Sequence, residues 1–198
     1  MEHIIIPDKE VVEEIFVDSK TGKRCVIALN RFGYRLGYVE LIDKIPFNYV
    51  YNEDDFLYNY LYKEDKNISS VVNLAYNLRD KRLKRNSNRC ILIHGGVTFL
   101  GYKEVTESMS IKAIGFDCAH FNDACDKESI DRYFGKDSLL SNVISRAGKT
   151  KGHIWSIEDV HSECESLANQ VKSIENRYSK EQKLKKKQTW CNRGWKKK

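Results

Sequence analysis

One apolar stripe near the C-terminal end constrains the fold of this chain more than any other feature. Ser156 and Asp159, just before it, form the Ser-x-x-Asp pattern of a helix capping box. A helix with one apolar face must bury that face, so we expect a helix that begins after Ser156 and lies on a sheet. The stripe residues recur at the helical spacing i, i+4, i+7, i+8, i+11 and i+14, and are Val160, Cys164, Leu167, Ala168, Val171 and Ile174.

Strands for that sheet are predicted in the first half and the centre of the chain. Arg24–Asn30 and Tyr34–Leu41 are rich in β-branched and aromatic residues and predict a hairpin. Cys90–Ile93 and Ile111–Phe116 predict two further strands, whereas Asn122–Lys151 lacks periodicity and predicts an extended surface loop. This grouping favours an α+β fold, with a mostly antiparallel sheet and a C-terminal amphipathic helix packed on it.

Length and charge distribution predict one domain with an appended tail. Residues 1–179 suit a single α+β domain, in which Glu53–Tyr62 indicates a loop or a short helix and Val71–Leu78 a helix. Residues 180–198 carry nine Lys or Arg against one Glu, so the net charge of +6 comes from this segment. We expect a basic, flexible tail that serves chiefly as a solvated, solubilising terminus. The alternative is contact with nucleic acid, which would be weak and independent of sequence.

Composition and cysteine spacing exclude several classes of protein. No apolar run approaches the roughly 18 residues that a membrane span needs. The first residues lack the basic and long apolar segments of a signal peptide, so we expect a cytoplasmic protein. The six cysteines include no CxxC pair, which argues against a zinc ribbon. We expect neither a metal nor a cofactor, and a homo-oligomer is compatible with this composition.

Two predicted strand ends supply the candidate functional residues. One is followed by His94-Gly95-Gly96 and the other by Asp117-Cys118-Ala119-His120. Paired glycines let the backbone approach a ligand closely, and their N–H groups suit an anion. Imidazoles, a carboxylate and a guanidinium suit a small phosphate- or ribose-bearing molecule. The candidate ligand-binding residues are His94, Gly95, Gly96, Thr98, Asp117, Cys118, His120, Asp123 and Arg35.

Two catalytic interpretations use the same residues. In the first, His94 activates Cys118 as a nucleophile, and a neighbouring carboxylate, Asp117 or Asp123, fixes the imidazole tautomer. His120 is a poorer partner for Cys118, because Cβ atoms two residues apart on a strand are roughly 7 Å apart. In the second, the histidines and aspartates hold a metal ion, although the usual HxH or HxxxH spacing is missing. Cys118 equally suits a small buried core residue.

Four segments together resemble a family of small phage and prophage proteins. The family's order is GYV, HGGxT, GFDCAHxxD and ECxxLAxQ, which is matched here by Gly37–Val39, His94–Thr98, Gly115–Asp123 and Glu163–Gln170. The resemblance covers roughly residues 31–171, and its GFDCAH string is specific. The chain departs from the family in having no histidine between Leu41 and Phe47, in Asn122, where a small residue is usual, and in its basic tail. The resemblance implies a phage setting and a role against host defence, rather than a particular reaction.

The function that the sequence favours is binding without catalysis, although catalysis stays open. We expect a phage-type protein in the host cytoplasm that binds a small nucleotide-like ligand and sequesters a signalling molecule of host immunity. The first alternative is a hydrolase of a nucleotide-like substrate that depends on Cys and His or on a metal. The second is a protein that inhibits a host defence enzyme by binding it through the Tyr-rich residues 47–62.

Overall fold

The computed structural model describes residues 10–50, 91–120, 122–136, 141–142 and 151–194 of the chain. Glu53–Tyr62, Val71–Leu78 and most of the Tyr-rich residues 47–62 lie outside the described residues. The elements are the strands β1 (Val11–Val17), β2 (Arg24–Leu29), β3 (Arg35–Glu40), β4 (Phe99–Thr106) and β5 (Met109–Asp117), and the helices α1 (Phe47–Val50), α2 (Lys127–Phe134) and α3 (Ile157–Gly194).

The five strands form one antiparallel sheet in the order β1-β2-β3-β5-β4. The predicted hairpin is formed by β2 and β3, with Cys25 opposite Val39 and Leu29 opposite Arg35. The strand predicted at Ile111–Phe116 is confirmed as part of β5, which pairs with the other edge of β3. The sheet and the long helix packed on it confirm the α+β fold that the sequence predicts.

One face of the sheet carries a cluster of buried apolar side chains contributed by β2, β3 and β5. Its members include Val26, Ala28, Tyr38, Ile111 and Ala113, each at most 3% exposed. These residues alternate with side chains of the opposite face, as the two-residue period of a strand requires. A sheet buried on both faces explains why β2 and β3 are almost continuously apolar.

Helix α3 lies on the opposite face of the sheet. At Gly37 a Cβ atom would lie 2.3 Å from Phe116 and 2.8 Å from the Sγ of Cys164, so the missing side chain lets the helix approach β3. The six stripe residues are each at most 5% exposed. The predicted capping box is confirmed, because Ser156 Oγ accepts from the N–H of Asp159 at 3.0 Å and Asp159 Oδ2 accepts from the N–H of Ser156 at 2.9 Å.

The strand predicted at Cys90–Ile93 is wrong for the described residues 91–93. The N–H of Leu92 donates to Gln170 Oε1, and its C=O accepts from Gln170 Nε2, both at 2.8 Å. The side-chain amide of Gln170 in α3 therefore makes the two backbone hydrogen bonds that a neighbouring strand would otherwise make. On its second edge β5 pairs with β4. Strand β4 was not predicted, because its charged and half-exposed residues hide the apolar alternation.

The surface loop predicted over Asn122–Lys151 is wrong where α2 forms. Asp126 begins this helix by accepting from the N–H of Ser129 at 3.0 Å. Only Ser129 and Ile130 of the helix are buried, so its two turns carry too few apolar residues to show a helical period.

The described residues divide into two compact units. The first contains residues 10–41 and 92–170, with the whole sheet and α2. The second contains residues 42–50, 91 and 171–194. Within the second unit, the rings of Tyr49 and Tyr178 pack edge to face with centroids 4.7 Å apart.

Helix α3 continues through most of the basic segment and ends at Gly194. Within this segment the side chains of Lys180, Lys183 and Lys185–Lys187 are exposed. The flexibility of the tail and its contact with nucleic acid stay predictions. None of the helices in the described ranges combines the length and the apolar character that a membrane crossing requires.

A buried arginine of β3 ties the first unit together. Arg35 is 6% exposed, and all five of its N–H donors are used. Nε and Nη2 donate to the two carboxylate oxygens of Glu13 at 2.8 and 3.1 Å. Nη1 donates to Asp126 at 2.9 Å and to the C=O of Trp155 at 2.6 Å. Nη2 also donates to Ser129 Oγ at 3.0 Å.

Two local features bring the carboxylates to this guanidinium. The pairing of β1 with β2 shifts register between Val12 and Glu14, which makes Glu13 the extra residue of a β-bulge. Asp126 caps α2 and bonds Arg35 with the same carboxylate. Burial would raise the pKa of Asp126, but hydrogen bonds from Ser129 and the charge of Arg35 hold it below its ordinary value.

Replacing Arg35 by Met removes the positive charge from this network. Glu13 and Asp126 would keep their charges in the interior without a counter-charge, and removing one partner of a buried pair costs about 3–5 kcal/mol. We expect Arg35→Met to lower the free energy of unfolding by an amount of that order, measured by urea denaturation followed by circular dichroism.

Arg24→Met is the matched control on the neighbouring strand. Arg24 pairs with Glu40 at 3.5 Å, and the two side chains are 37% and 35% exposed. Exposed pairs contribute little, so we expect this change to cost at most about 1 kcal/mol. Equal losses in the two variants would contradict the central role of Arg35.

Candidate functional site

Predicted site residues meet at the turn that follows β5. The N–H of Ala119 donates to Asp117 Oδ1 at 3.0 Å. The N–H of His120 donates to Asp123 Oδ2 at 2.8 Å, and the N–H of Asp123 donates back to the C=O of His120 at 3.1 Å. These bonds connect residues 117–120 with Asp123 and bring together two carboxylates and one imidazole.

Asp123 is the centre of the site. Asp123 is only 3% exposed. Its carboxylate accepts hydrogen bonds from His94 Nε2 at 2.8 Å, from the N–H of His120 at 2.8 Å and from Trp155 Nε1 at 2.9 Å. Burial would raise the pKa of Asp123, but the hydrogen bonds from His94, His120 and Trp155 lower it below the ordinary value of 3.8. The site is therefore built around one buried, ionised carboxylate.

The contact with Asp123 also sets the tautomer of His94. A carboxylate only accepts hydrogen bonds, so the proton of the neutral ring is assigned to Nε2. The lone pair of the ring is then on Nδ1. The His94 side chain is 24% exposed, which leaves it partly accessible from solvent.

Four rings pack against one another beside this carboxylate. The ring centroid of His94 lies 5.2 Å from that of His120, at an interplanar angle of 70°, and 4.3 Å from that of Trp155. The rings of His153 and Trp155 have centroids 5.3 Å apart. We call His94, His120, His153, Trp155 and Asp123 the histidine cluster.

Each imidazole of the histidine cluster lies near a carboxylate. His120 Nε2 is 3.3 Å from Asp117 Oδ1, and His153 Nε2 is 3.4 Å from Asp159 Oδ2. Asp159 also caps α3, so the start of that helix is coupled to the cluster. Three histidine–aspartate pairs from distant parts of the chain are thus brought together.

The glycine turn explains how His120 reaches the cluster. Gly95 has a φ of +63°, and a Cβ atom there would lie 1.6 Å from His120 Nε2. The position therefore excludes any side chain for two reasons, the positive φ and the imidazole packed against it. Glycine at position 95 therefore leaves the space that the His120 ring occupies.

Two backbone donors near the glycine turn are used within the fold. The N–H of Gly96 donates to the C=O of Ile93 at 3.1 Å, and the N–H of Thr98 donates to the C=O of Gly115 at 3.0 Å. A ligand at this turn would meet the imidazoles rather than these two amides. Direct contact of Gly96 or Thr98 with a ligand stays a prediction.

Cys118 lies in the interior of the first unit. It is 1% exposed, and burial raises its pKa, an effect that the charges of Asp123 and Asp117 increase. Because the thiolate is the nucleophilic form of cysteine, these surroundings disfavour Cys118 as a nucleophile. Cys25 is also buried, and burial raises the pKa of its thiol to about 12.

Arg35, a further predicted ligand contact, is used by the fold. Its five N–H donors bond Glu13, Asp126, Ser129 and the C=O of Trp155, so a ligand phosphate could bind it only by displacing one of them. The arginine instead positions Trp155, whose indole N–H bonds Asp123.

Trp155 and His153 were not among the predicted site residues. Both lie between the predicted loop and the predicted helix, where no periodic pattern marks them. Backbone bonds hold the segment in place, with the N–H of Ala124 donating to the C=O of His153 and the N–H of His153 to the C=O of Asn122, both at 2.8 Å. The sequence feature that could have indicated them is the presence of two ring-bearing residues, His153 and Trp155, just before the helix cap at Ser156.

Within the described ranges, no group of three or more His, Cys, Asp or Glu side chains is arranged to hold a metal ion. The predicted metal set of His94, Asp117, His120 and Asp123 is thus arranged as histidine–aspartate pairs.

Comparison of the chain with protein-family models, with curated protein sequences and with solved structures gave no significant match. The resemblance to the phage family stays a prediction.

Asp123→Asn tests the buried carboxylate. Because the pKa of Asp123 in the folded protein is below 3.8, its ionised form stabilises the fold above that pH, and this stabilisation is lost as the pH falls below it. We expect Asp123→Asn to cost about 1.5–3 kcal/mol near neutral pH, the range for hydrogen bonds to a charged group. The difference from the wild type should shrink in acid, as measured by urea denaturation across the pH range. A difference that stays constant with pH would contradict the buried charge.

Gly95→Ala tests the packing of His120 on the turn. Gly22→Ala is its matched control, since Gly22 has a similar φ of +71° with nothing within 4 Å of the added Cβ atom. Both changes carry the strain of a left-handed backbone, about 1–2 kcal/mol. Only Gly95→Ala should also displace His120, seen as a shift of its imidazole signals in NMR spectra. Unchanged imidazole signals in Gly95→Ala would show that the ring does not lie against the turn.

Proposed function

We propose that this protein binds a small nucleotide-like ligand at the histidine cluster and, as a phage-type protein, sequesters a signalling molecule of host immunity. The observation that carries the proposal is the packing of imidazole and indole rings around the buried carboxylate of Asp123. Such a cluster combines stacking surfaces with hydrogen-bonding nitrogens, and these are the two kinds of group that a nucleotide requires.

Ring surfaces of the cluster suit a nucleobase. Trp155 is half-buried and packs against His94 and His153. Stacking of a base on an aromatic side chain contributes about 1–3 kcal/mol and tolerates different bases. Trp155 is therefore our candidate for the stacking residue.

The imidazoles suit the phosphate or ribose part of the ligand. The side chains of His94 and His120 are 24% and 32% exposed, so both are partly accessible. Nε2 of each ring lies beside a carboxylate, which leaves Nδ1 of each ring for a ligand. Ribose hydroxyls and phosphate oxygens are partners for these groups.

The identity of the ligand as a host signal is supported by the sequence resemblance alone. A phage protein made in the host cytoplasm would meet the nucleotide signals of host defence there, and these signals have the chemistry that the histidine cluster suits. Sequestration requires only binding, so this proposal needs no reaction at the cluster.

Isothermal titration with cyclic nucleotides and ADP-ribose-derived nucleotides tests the binding. We expect one of these compounds to bind the wild type and Trp155→Ala to weaken its affinity about 10-fold or more, because the stacking surface is lost. Heating the complex and analysing the released compound by mass spectrometry shows whether it stays intact.

His161→Gln is the control for this experiment. His161 stacks on Phe16 with ring centroids 3.7 Å apart and is not part of the histidine cluster. We expect its affinity to equal that of the wild type. If every compound remains unbound, or if His161→Gln and Trp155→Ala weaken binding equally, the proposal is wrong.

A further inference from the structure

We propose that the histidine cluster hydrolyses a phosphodiester bond of the ligand, with His94 as general base and His120 as general acid. This inference rests on the binding part of the proposed function, because the ligand must first bind at the cluster, and it replaces sequestration of the ligand with its cleavage. The two imidazoles lie edge to face with centroids 5.2 Å apart. Each has its own carboxylate, with His94 Nε2 at 2.8 Å from Asp123 and His120 Nε2 at 3.3 Å from Asp117.

His94 has the surroundings of a general base. Asp123 accepts from its Nε2–H, so the lone pair on Nδ1 takes up a proton while the carboxylate balances the positive charge that forms. Asp123 also accepts from the N–H of His120 and from Trp155 Nε1, and these bonds prevent it from turning away. The orientation of His94 is therefore set before a substrate arrives.

His120 is placed to act as the acid. Asp117 lies beside its Nε2, and the absence of a side chain at Gly95 lets the ring lie against the turn. Its Nε2 is buried, whereas the side chain as a whole is 32% exposed, so the proton that His120 gives to a ligand is carried by Nδ1. Hydrolysis requires these two rings, whose centroids lie 5.2 Å apart, to contact the attacking and leaving oxygens of one phosphorus atom.

The step consumes one water molecule. His94 removes a proton from the water as its oxygen bonds to phosphorus, and the bond from phosphorus to the leaving oxygen breaks. His120 gives its proton to that oxygen, so the products are a phosphomonoester and an alcohol. Proton exchange with solvent then returns His94 to its neutral form and His120 to its protonated form.

The charges around the cluster favour a phosphodiester over a phosphomonoester. Asp117 and Asp123 are both close to the imidazoles, and the donors of Arg35 are all used by other partners. A diester carries one negative charge, whereas a monoester carries nearly two at neutral pH. The second charge would be repelled by the carboxylates, so the monoester product should leave.

Cys118 has no part in this reaction. Its side chain is 1% exposed, and its burial disfavours the thiolate that a covalent intermediate would need. Direct attack by water requires no such intermediate.

Cyclic mononucleotides and cyclic dinucleotides are the probes for the test, with a nucleoside monophosphate as the comparison. We expect excess wild-type protein to open a cyclic probe to a linear product by mass spectrometry and to leave the monophosphate unchanged. His94→Gln and His120→Gln should each slow the reaction at least about 100-fold, the usual minimum for general acid–base catalysis. His161→Gln, prepared in the same way, should react at the wild-type rate.

A linear dinucleotide with sulfur at the leaving position separates the two roles. A thiol leaves without protonation far more readily than an alcohol, because its pKa is much lower. We therefore expect this probe to restore the rate of His120→Gln and not that of His94→Gln. Equal rates for the two variants would overturn the assigned roles.

Failure of this inference is distinguishable from failure of the proposed function. A probe that binds and is recovered intact overturns hydrolysis and leaves the binding proposal standing. Absence of binding to any probe overturns both. Hydrolysis that is abolished by EDTA, or that persists in His94→Gln, overturns the acid–base assignment.

Discussion

The burial of one positive charge, the guanidinium of Arg35, is the constraint on which the rest of the first unit depends. A guanidinium in the interior must have partners for all its N–H groups, and here these come from Glu13, Asp126, Ser129 and Trp155. They lie in a bulged strand, at the start of α2 and just before α3. Satisfying a single cation therefore fixes the positions of three elements on the sheet.

The same network sets the geometry of the histidine cluster. The C=O of Trp155 bonds Arg35, and its indole N–H bonds Asp123. Asp123 in turn orients His94 and accepts from the backbone of His120. The cluster is thus attached to the core through hydrogen bonds to two buried charges, those of Arg35 and Asp123. Arg35, which the sequence predicted as a ligand contact, instead holds the cluster in position.

Local patterns predicted much of the fold, because they depend on residues that are close in sequence. The cap at Ser156, the buried stripe of α3 and the β2–β3 hairpin follow from spacing and turn residues. Over the described residues 91–93 the predicted strand is wrong, because Leu92 bonds the side chain of Gln170, which is 78 residues away. Helix α2 was missed because it has only two turns and a single large buried residue, Ile130.

By itself, the sequence determined the fold class and placed His94, His120 and Asp123 at the ends of apolar segments beside glycines. The tertiary structure alone decided how these groups act together. It added Trp155, placed Cys118 in the interior and used every donor of Arg35 within the fold. The physical reason is that burial and hydrogen bonding between distant residues determine the charge and orientation of a side chain, and no local spacing in the sequence encodes them.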